Sequence, residues 1–287
     1  MLIWEFTLVV WLGSLLAGLL VSLTGLGGGV VIVPLLTLGF GVDIRYAIGA
    51  SLVSVIATSS GAAVAYVREG FSNIRVGMLL ETATTLGATG GALLAAHVAP
   101  RLIAVIFGLV LLASVYSSVK GPPQHDTDGP PDQLAQRLRL DSRYPARDGV
   151  RQYHVRRVPL GFGLMGLAGL LSGLLGIGSG ALKVLAMDQA MRLPFKVSTT
   201  TSNFMIGVTA AASAGIYLNR GYLDPGLCMP TTLGVLAGSL TGARLLAKAR
   251  APGAALGIRG RHPGPGGGDD SQRPEREDLT WLPGSLG

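Results

Sequence analysis

An all-α membrane protein is the fold class that the sequence predicts, and three observations predict it. Only 14% of the 287 residues are charged while 49% are apolar, against about a quarter charged in an ordinary soluble domain. The charge is also clustered: twelve of the 39 charged residues fall in 121–157 and ten in 250–287, leaving 17 for the other 212. Third, uncharged runs recur at lengths that suit a hydrocarbon core, which about 20 helical residues cross. With a mean hydropathy of +0.50, a soluble enzyme and a disordered chain are both excluded as classes.

The elements follow in order. Residues 6–42 carry no charge, and 46–67, 76–96 (interrupted by Glu81) and 102–119 follow. Past a polar stretch come 158–187 (carrying Lys183), 197–219 and 225–243, seven apolar segments in all. The first run is too long for one crossing, since 37 helical residues would extend about 55 Å. Four glycines in the five residues Gly25–Gly29, with Pro34 beyond, predict an unwound break rather than a glycine face used only for packing. The start, Met-Leu-Ile-Trp-Glu, lacks a basic n-region and a cleavage site, so a retained first helix is expected.

The chain matches itself at a shift of 151 residues. Gly25, Gly27 and Gly29 fall on Gly176, Gly178 and Gly180, and Ser51, Tyr66, Gly70, Gly87 and Gly91 fall on Ser202, Tyr217, Gly221, Gly238 and Gly242. Paired interrupted helices in two repeats mark the substrate site of transporter-type architectures. The fourth segment of the first half has no apolar partner near 253–270, a stretch rich in Gly, Pro and Arg. The expected organisation is a first transmembrane repeat over 1–119, a polar cytoplasmic linker over 120–157, a second repeat over 158–249 and a disordered Gly/Pro-rich tail over 250–287. Each repeat has about four helices, with the last helix missing or replaced by the tail. Such a tail is also what GC-rich coding DNA yields in a shifted frame, which the gene sequence decides. Eight Lys or Arg in 120–157 place that linker, and with it the N-terminus, in the cytoplasm. Parallel and inverted repeats both remain open, because a re-entrant hairpin at the glycine break changes the number of crossings.

Gly25-Leu26-Gly27-Gly28-Gly29 with Pro34, and Gly176-Ile177-Gly178-Ser179-Gly180-Ala181-Leu182-Lys183-Val184, resemble motifs of the sulfite exporter TauE/SafE permease family. Residues 42–52 and their partners 194–204 resemble it too, and the likeness covers about 12–246. The resemblance implies a multi-pass cell-membrane permease for sulfite, organosulfonates or related sulfur-containing anions. Two departures stand out: Ser179 replaces Gly28 and Leu185 replaces Pro34 in the second copy, so the two breaks are not equivalent.

An oxyanion in a low-dielectric interior needs hydrogen-bond donors, because a buried unpaired charge is very costly. Unwound glycines and adjoining helix N-termini supply backbone N–H groups. The candidate substrate-binding residues are therefore Thr24, Gly25, Gly27, Gly28, Gly29 and Ser51, with Gly176, Gly178, Ser179, Gly180, Lys183, Thr201, Ser202 and Asn203. Ser22 also lies beside the first break. The bland alternative for the hydroxyls is back-bonding to i−4 carbonyls or gluing helices together. Lys183 is expected to assist the anion, the alternative being snorkelling with Asp188 as a loose partner. Glu81, six residues into its segment, is expected to be hydrated near a helix end, with proton coupling the lesser reading.

No enzyme, cofactor or metal is expected. The single cysteine, Cys228, excludes a multi-cysteine metal site. Gly178-Ser179-Gly180 suggests a serine peptidase, but no histidine lies within a spanning segment to serve as base. His97 and His154 are not read as ligands, and the 134–157 charge run reads as a solvated linker. The expected partners are the lipid bilayer and a small anionic substrate, with a coupling proton or ion and a homo-oligomer left open. The net charge of +7 does not signal nucleic acid, since no recognition motif accompanies it. An anion channel and a membrane protein without a transport role are the rival functions.

Overall fold

The computed structural model describes residues 3–24, 28–68, 72–120, 132–146 and 149–256. Met1–Ala247 form one compact unit and Lys248–Gly287 another, and the site and its packing lie in the first. Among the described residues the helices are α1 (Ile3–Thr24), α2 (Gly29–Pro34), α3 (Ile44–Arg68), α4 (Ile74–Leu94), α5 (Pro100–Lys120), α6 (Gln133–Arg137), α7 (Val158–Leu175), α8 (Gly180–Leu185), α9 (Phe195–Asn219) and α10 (Pro225–Leu256). One antiparallel hairpin, β1 (Ser142–Ala146) and β2 (Gly149–Tyr153), pairs Ser142 with Tyr153 and Arg143 with Gln152.

The molecule is apolar outside and partly polar inside. Leu12, Leu16, Leu109, Leu112, Leu167 and Leu240 are exposed, while Ser51, Thr84, Lys183, Ser198, Thr201 and Thr209 are buried. That inversion suits a lipid solvent, where interior polar groups must find partners in the protein. Among the described residues α7 is the helix both long and apolar enough to cross a membrane, and α1, α3 and α5 contain shorter apolar stretches.

Small residues set the helix pairs, as lipid provides no hydrophobic drive between helices. Gly87 and Gly91 of α4 lie directly under carbonyls of α7, while Gly169 and Gly173 of α7 lie under Thr84 and Ala88 of α4. A side chain at any of these four would collide with backbone. The same device joins α1 to α10, where Gly18 meets Val235 and Gly234 meets the Trp11 carbonyl. Helix α3 packs along α9, which also contacts α4.

Both long glycine-containing runs are broken. α1 stops at Thr24 and α2 starts at Gly29; Gly25 and Gly27 lie outside the described residues, as do the side chains of Ser22 and Thr24. α7 is capped by Gly176 in the left-handed region, followed by left-handed Gly178 and Ser179 before α8 begins. α2 and α8 are each continued by a five-residue π-helical turn, Leu35–Gly39 and Ala186–Ala190. Leu185 in place of Pro34 therefore does not alter this element, but the two helix starts differ, and the left-handed one falls on serine rather than glycine. Gly28 has φ −58° and Ser179 has φ +47°.

Three features differ from the sequence-based expectation. The linker is not a solvated strand of chain: Ala135, Leu140, Tyr153 and Val155 are buried against Val76, Leu80, Met187, Met191 and Met205. Its alternating residues include enough apolar side chains to form a hairpin lid, and this adds a small sheet to an otherwise helical fold. The last segment also runs further than 243. α10 continues to Leu256, into the stretch assigned to the tail, and 257–287 lie outside the described residues.

Candidate functional site

The two glycine breaks meet. A Cβ on Gly29 would sit 2.5 Å from the Gly176 carbonyl oxygen, 2.6 Å from Ile177 Cα and 2.8 Å from Ser51 Oγ. Gly28 approaches Val55, and so does Gly178, which also lies against Ile206. The hydroxyls expected to serve a ligand are partly engaged. Ser51 Oγ donates to the Gly176 carbonyl at 2.8 Å, and Ser202 Oγ donates to the Gly180 carbonyl at 3.2 Å. Both therefore pin carbonyls at the ends of the second break. Thr201 Oγ1 accepts from the Asn73 backbone N–H at 3.0 Å, and Asn203 is half-buried. Ser179 differs: its Oγ is buried and has no hydrogen-bond partner among the described residues.

Lys183, on the first turns of α8, does not snorkel. It is 0% exposed, and its Nζ donates to Thr209 Oγ1 of α9 at 2.5 Å. Thr209 in turn donates to Glu81 Oε1 of α4 at 2.7 Å, and Glu81 Oε2 lies 3.8 Å from the ammonium. Glu81 is not hydrated at a helix end; Thr84 Oγ1 donates to Oε2 at 3.0 Å and Thr85 Oγ1 to Oε1 at 3.2 Å. The counter-ion is thus Glu81, 102 positions away in sequence, rather than nearby Asp188. The close α4–α7 and α4–α9 packing brings the carboxylate to the lysine. A buried charge pair is tolerated only when its remaining hydrogen-bonding capacity is met, and three threonine hydroxyls do this for the carboxylate.

Sequence reasoning missed Thr209, Asn73 and Tyr153. Thr209 carries no signal beyond being a threonine in an apolar run. Asn73 is the joint between the helices and the hairpin lid. Its Oδ1 accepts from Val76 N and caps α4, while Nδ2 donates to the Leu140 carbonyl at 2.9 Å and to Tyr153 OH at 2.8 Å. Burial raises the pKa of the Tyr153 phenol, so it stays neutral there. His154 Nδ1 lies 3.0 Å from Asp141 Oδ2 within the lid. Asn73→Ala is expected to cost about 1 kcal/mol for the cap and about 1–3 kcal/mol for the stranded buried partners. Asn73→Asp keeps the cap and should fall between alanine and wild type in detergent melting; equal melting of all three would deny the joint.

A groove of about 370 Å³ between α7 and α8 is lined by leucines and Arg157, but not by Lys183. It belongs to the apolar outer surface rather than to the polar centre.

A helical protein with an apolar exterior, broken helices and an interior ion pair has the build of a membrane transporter. The chain belongs to the sulfite exporter TauE/SafE family, whose model matches residues 10–257. It is 26% identical over 231 residues to the probable membrane transporter protein YdhB of Bacillus subtilis (strain 168), covering 80% of this chain and 86% of that protein. It is 27% identical over 227 residues to the probable membrane transporter protein YunE of the same organism, covering 77% and 81%. No solved structure matches the chain at significance.

Proposed function

We propose that this protein is a multi-pass carrier of the cell membrane for small sulfur-containing oxyanions such as sulfite or organosulfonates, and not an enzyme. The observation that carries the reading is the fully buried Lys183 ammonium four residues past Ser179, whose buried hydroxyl has no hydrogen-bond partner among the described residues. A cation and a spare donor beside an unwound helix start are what a desolvated oxyanion requires. The breaks are taken to face one another across the transport path, one from each of two duplicated halves. Recurrence of the element starts supports the duplication: α2, α3 and α4 begin at 29, 44 and 74, and α8, α9 and α10 at 180, 195 and 225. Each pair differs by the same 151 residues as the sequence match.

Thermal melting of the purified protein with sulfite, sulfate, thiosulfate, methanesulfonate and short carboxylates tests this. Ligand at about a hundred times its Kd stabilises by about 2.7 kcal/mol, so a true substrate gives a saturable upward shift. The expected order places sulfur oxyanions or sulfonates above carboxylates. A flat response to every anion would sink the reading.

A further inference from the structure

Lys183 and Glu81 neutralise each other, and this has a consequence for any anion that arrives. Their charges sum to zero inside a shell closed by Thr84, Thr85 and Thr209. A monoanion that takes the ammonium leaves Glu81 with a second negative charge beside it, in surroundings where unpaired charge is strongly disfavoured. One proton on the carboxylate restores neutrality. We propose that Glu81 is the binding site of a coupling proton, so that anion and proton enter and leave the site together. This rests on the carrier reading above.

The molecule contains its own control. At the 151-residue offset, Lys183, Thr209 and Glu81 correspond to Ile32, Thr58 and Thr232. There the matched residues make neutral contacts: Thr232 Oγ1 lies 3.3 Å from Ser54 Oγ, and Ile32 is buried in the apolar core. Neutral residues therefore satisfy this packing, so the ion pair is not needed for it. The charges mark one of two matched places, as a functional site would.

The proton balance is simple. A proton from water adds to a Glu81 oxygen, the anion accepts hydrogen bonds from Lys183, and release of both on the far side returns the Lys183–Glu81 pair. No other group must titrate. α7 carries no ionisable side chain. α9 carries Lys196 in its first turn and Tyr217, whose hydroxyl donates to the Gly173 carbonyl, α4 begins with Arg75, and the π-turn after α8 carries Asp188. Among the described residues the cation within 4 Å of Glu81 is Lys183.

The test uses the full chain in liposomes enclosing a pH dye, with methanesulfonate, an anion that brings no proton of its own. Wild type should acidify the lumen with one proton per anion taken up, without response to membrane potential. Apparent affinity should weaken as pH rises, by up to about tenfold per pH unit, as uptake of one proton with each anion requires. Glu81→Gln should lose proton movement and pH dependence while counterflow of labelled anion continues at a reduced rate, and Glu81→Asp should keep coupling. Anion uptake without protons in wild type overturns the proton site and leaves the carrier reading standing, and so does proton uptake by Glu81→Gln. Absence of any methanesulfonate uptake, when other anions also fail to stabilise the protein, removes both. A wild-type uptake without protons overturns the proposal even if no variant folds, and with one proton per anion the Glu81→Gln and Glu81→Asp pair assigns the site.

Discussion

Lys183→Met is expected to abolish anion stabilisation and to reduce anion transport by more than any substitution outside the site. Truncating one partner of a desolvated, hydrogen-bonded charge pair costs about 2–5 kcal/mol, which is roughly thirtyfold or more in affinity. The same substitution strands Glu81, since among the described residues its oxygens keep threonine hydroxyls alone as partners. Some loss of stability must therefore accompany the loss of transport, and a single variant cannot separate them. The double variant Lys183→Met/Glu81→Gln does. Replacing a buried ion pair with neutral groups of similar size is often neutral or stabilising, so it should melt at or above the single variant while still failing to transport. Lys183→Arg keeps the charge and should retain part of the activity. Wild-type transport by Lys183→Met would make the pair purely structural.

The membrane class and the helix breaks were legible because each rests on local composition. Uncharged runs marked the long helices, and the clustered glycines marked the ends of α1 and α7 to within a residue or two. What was not legible depends on contacts between distant positions. Lys183 was visible as an intramembrane charge, but its partner could only be guessed from proximity in sequence. The actual partner comes from α4, carried there by glycines at 87 and 91 that let α7 approach. The lid failed for a different reason. Its charged residues outnumber its apolar ones, yet a few buried side chains, Leu140, Tyr153 and Val155, suffice to dock it when Asn73 supplies hydrogen bonds. Ser51 and Ser202 were singled out as matched positions of the two repeats, and in the structure each donates to a carbonyl of the second break. They hold the break carbonyls in place, a positioning task that spacing alone does not distinguish from ligand binding.

Gly176→Ala is expected to be among the most destabilising single-methyl changes in the chain. Gly176 has φ +68°, and an added Cβ would lie 2.6 Å from Ile48 Cγ2 and 3.1 Å from the Ile48 backbone. The left-handed backbone costs a non-glycine residue about 1–2 kcal/mol, and overpacking a filled site costs about 1–3 kcal/mol more. Relief by rotating the peptide is blocked, since the Gly176 carbonyl is held by Ser51 Oγ and lies against Gly29. The total, about 2–5 kcal/mol, is a large fraction of the stability of an ordinary domain. Gly215→Ala provides the contrast: this α9 glycine has nothing within 4 Å of an added Cβ. There alanine should be neutral or gain up to about 1 kcal/mol from better helix propensity. Melting both variants in the same detergent checks the argument. If Gly176→Ala melts like Gly215→Ala, the two breaks do not bear on each other as the structure has them, and a site built on their meeting loses its frame.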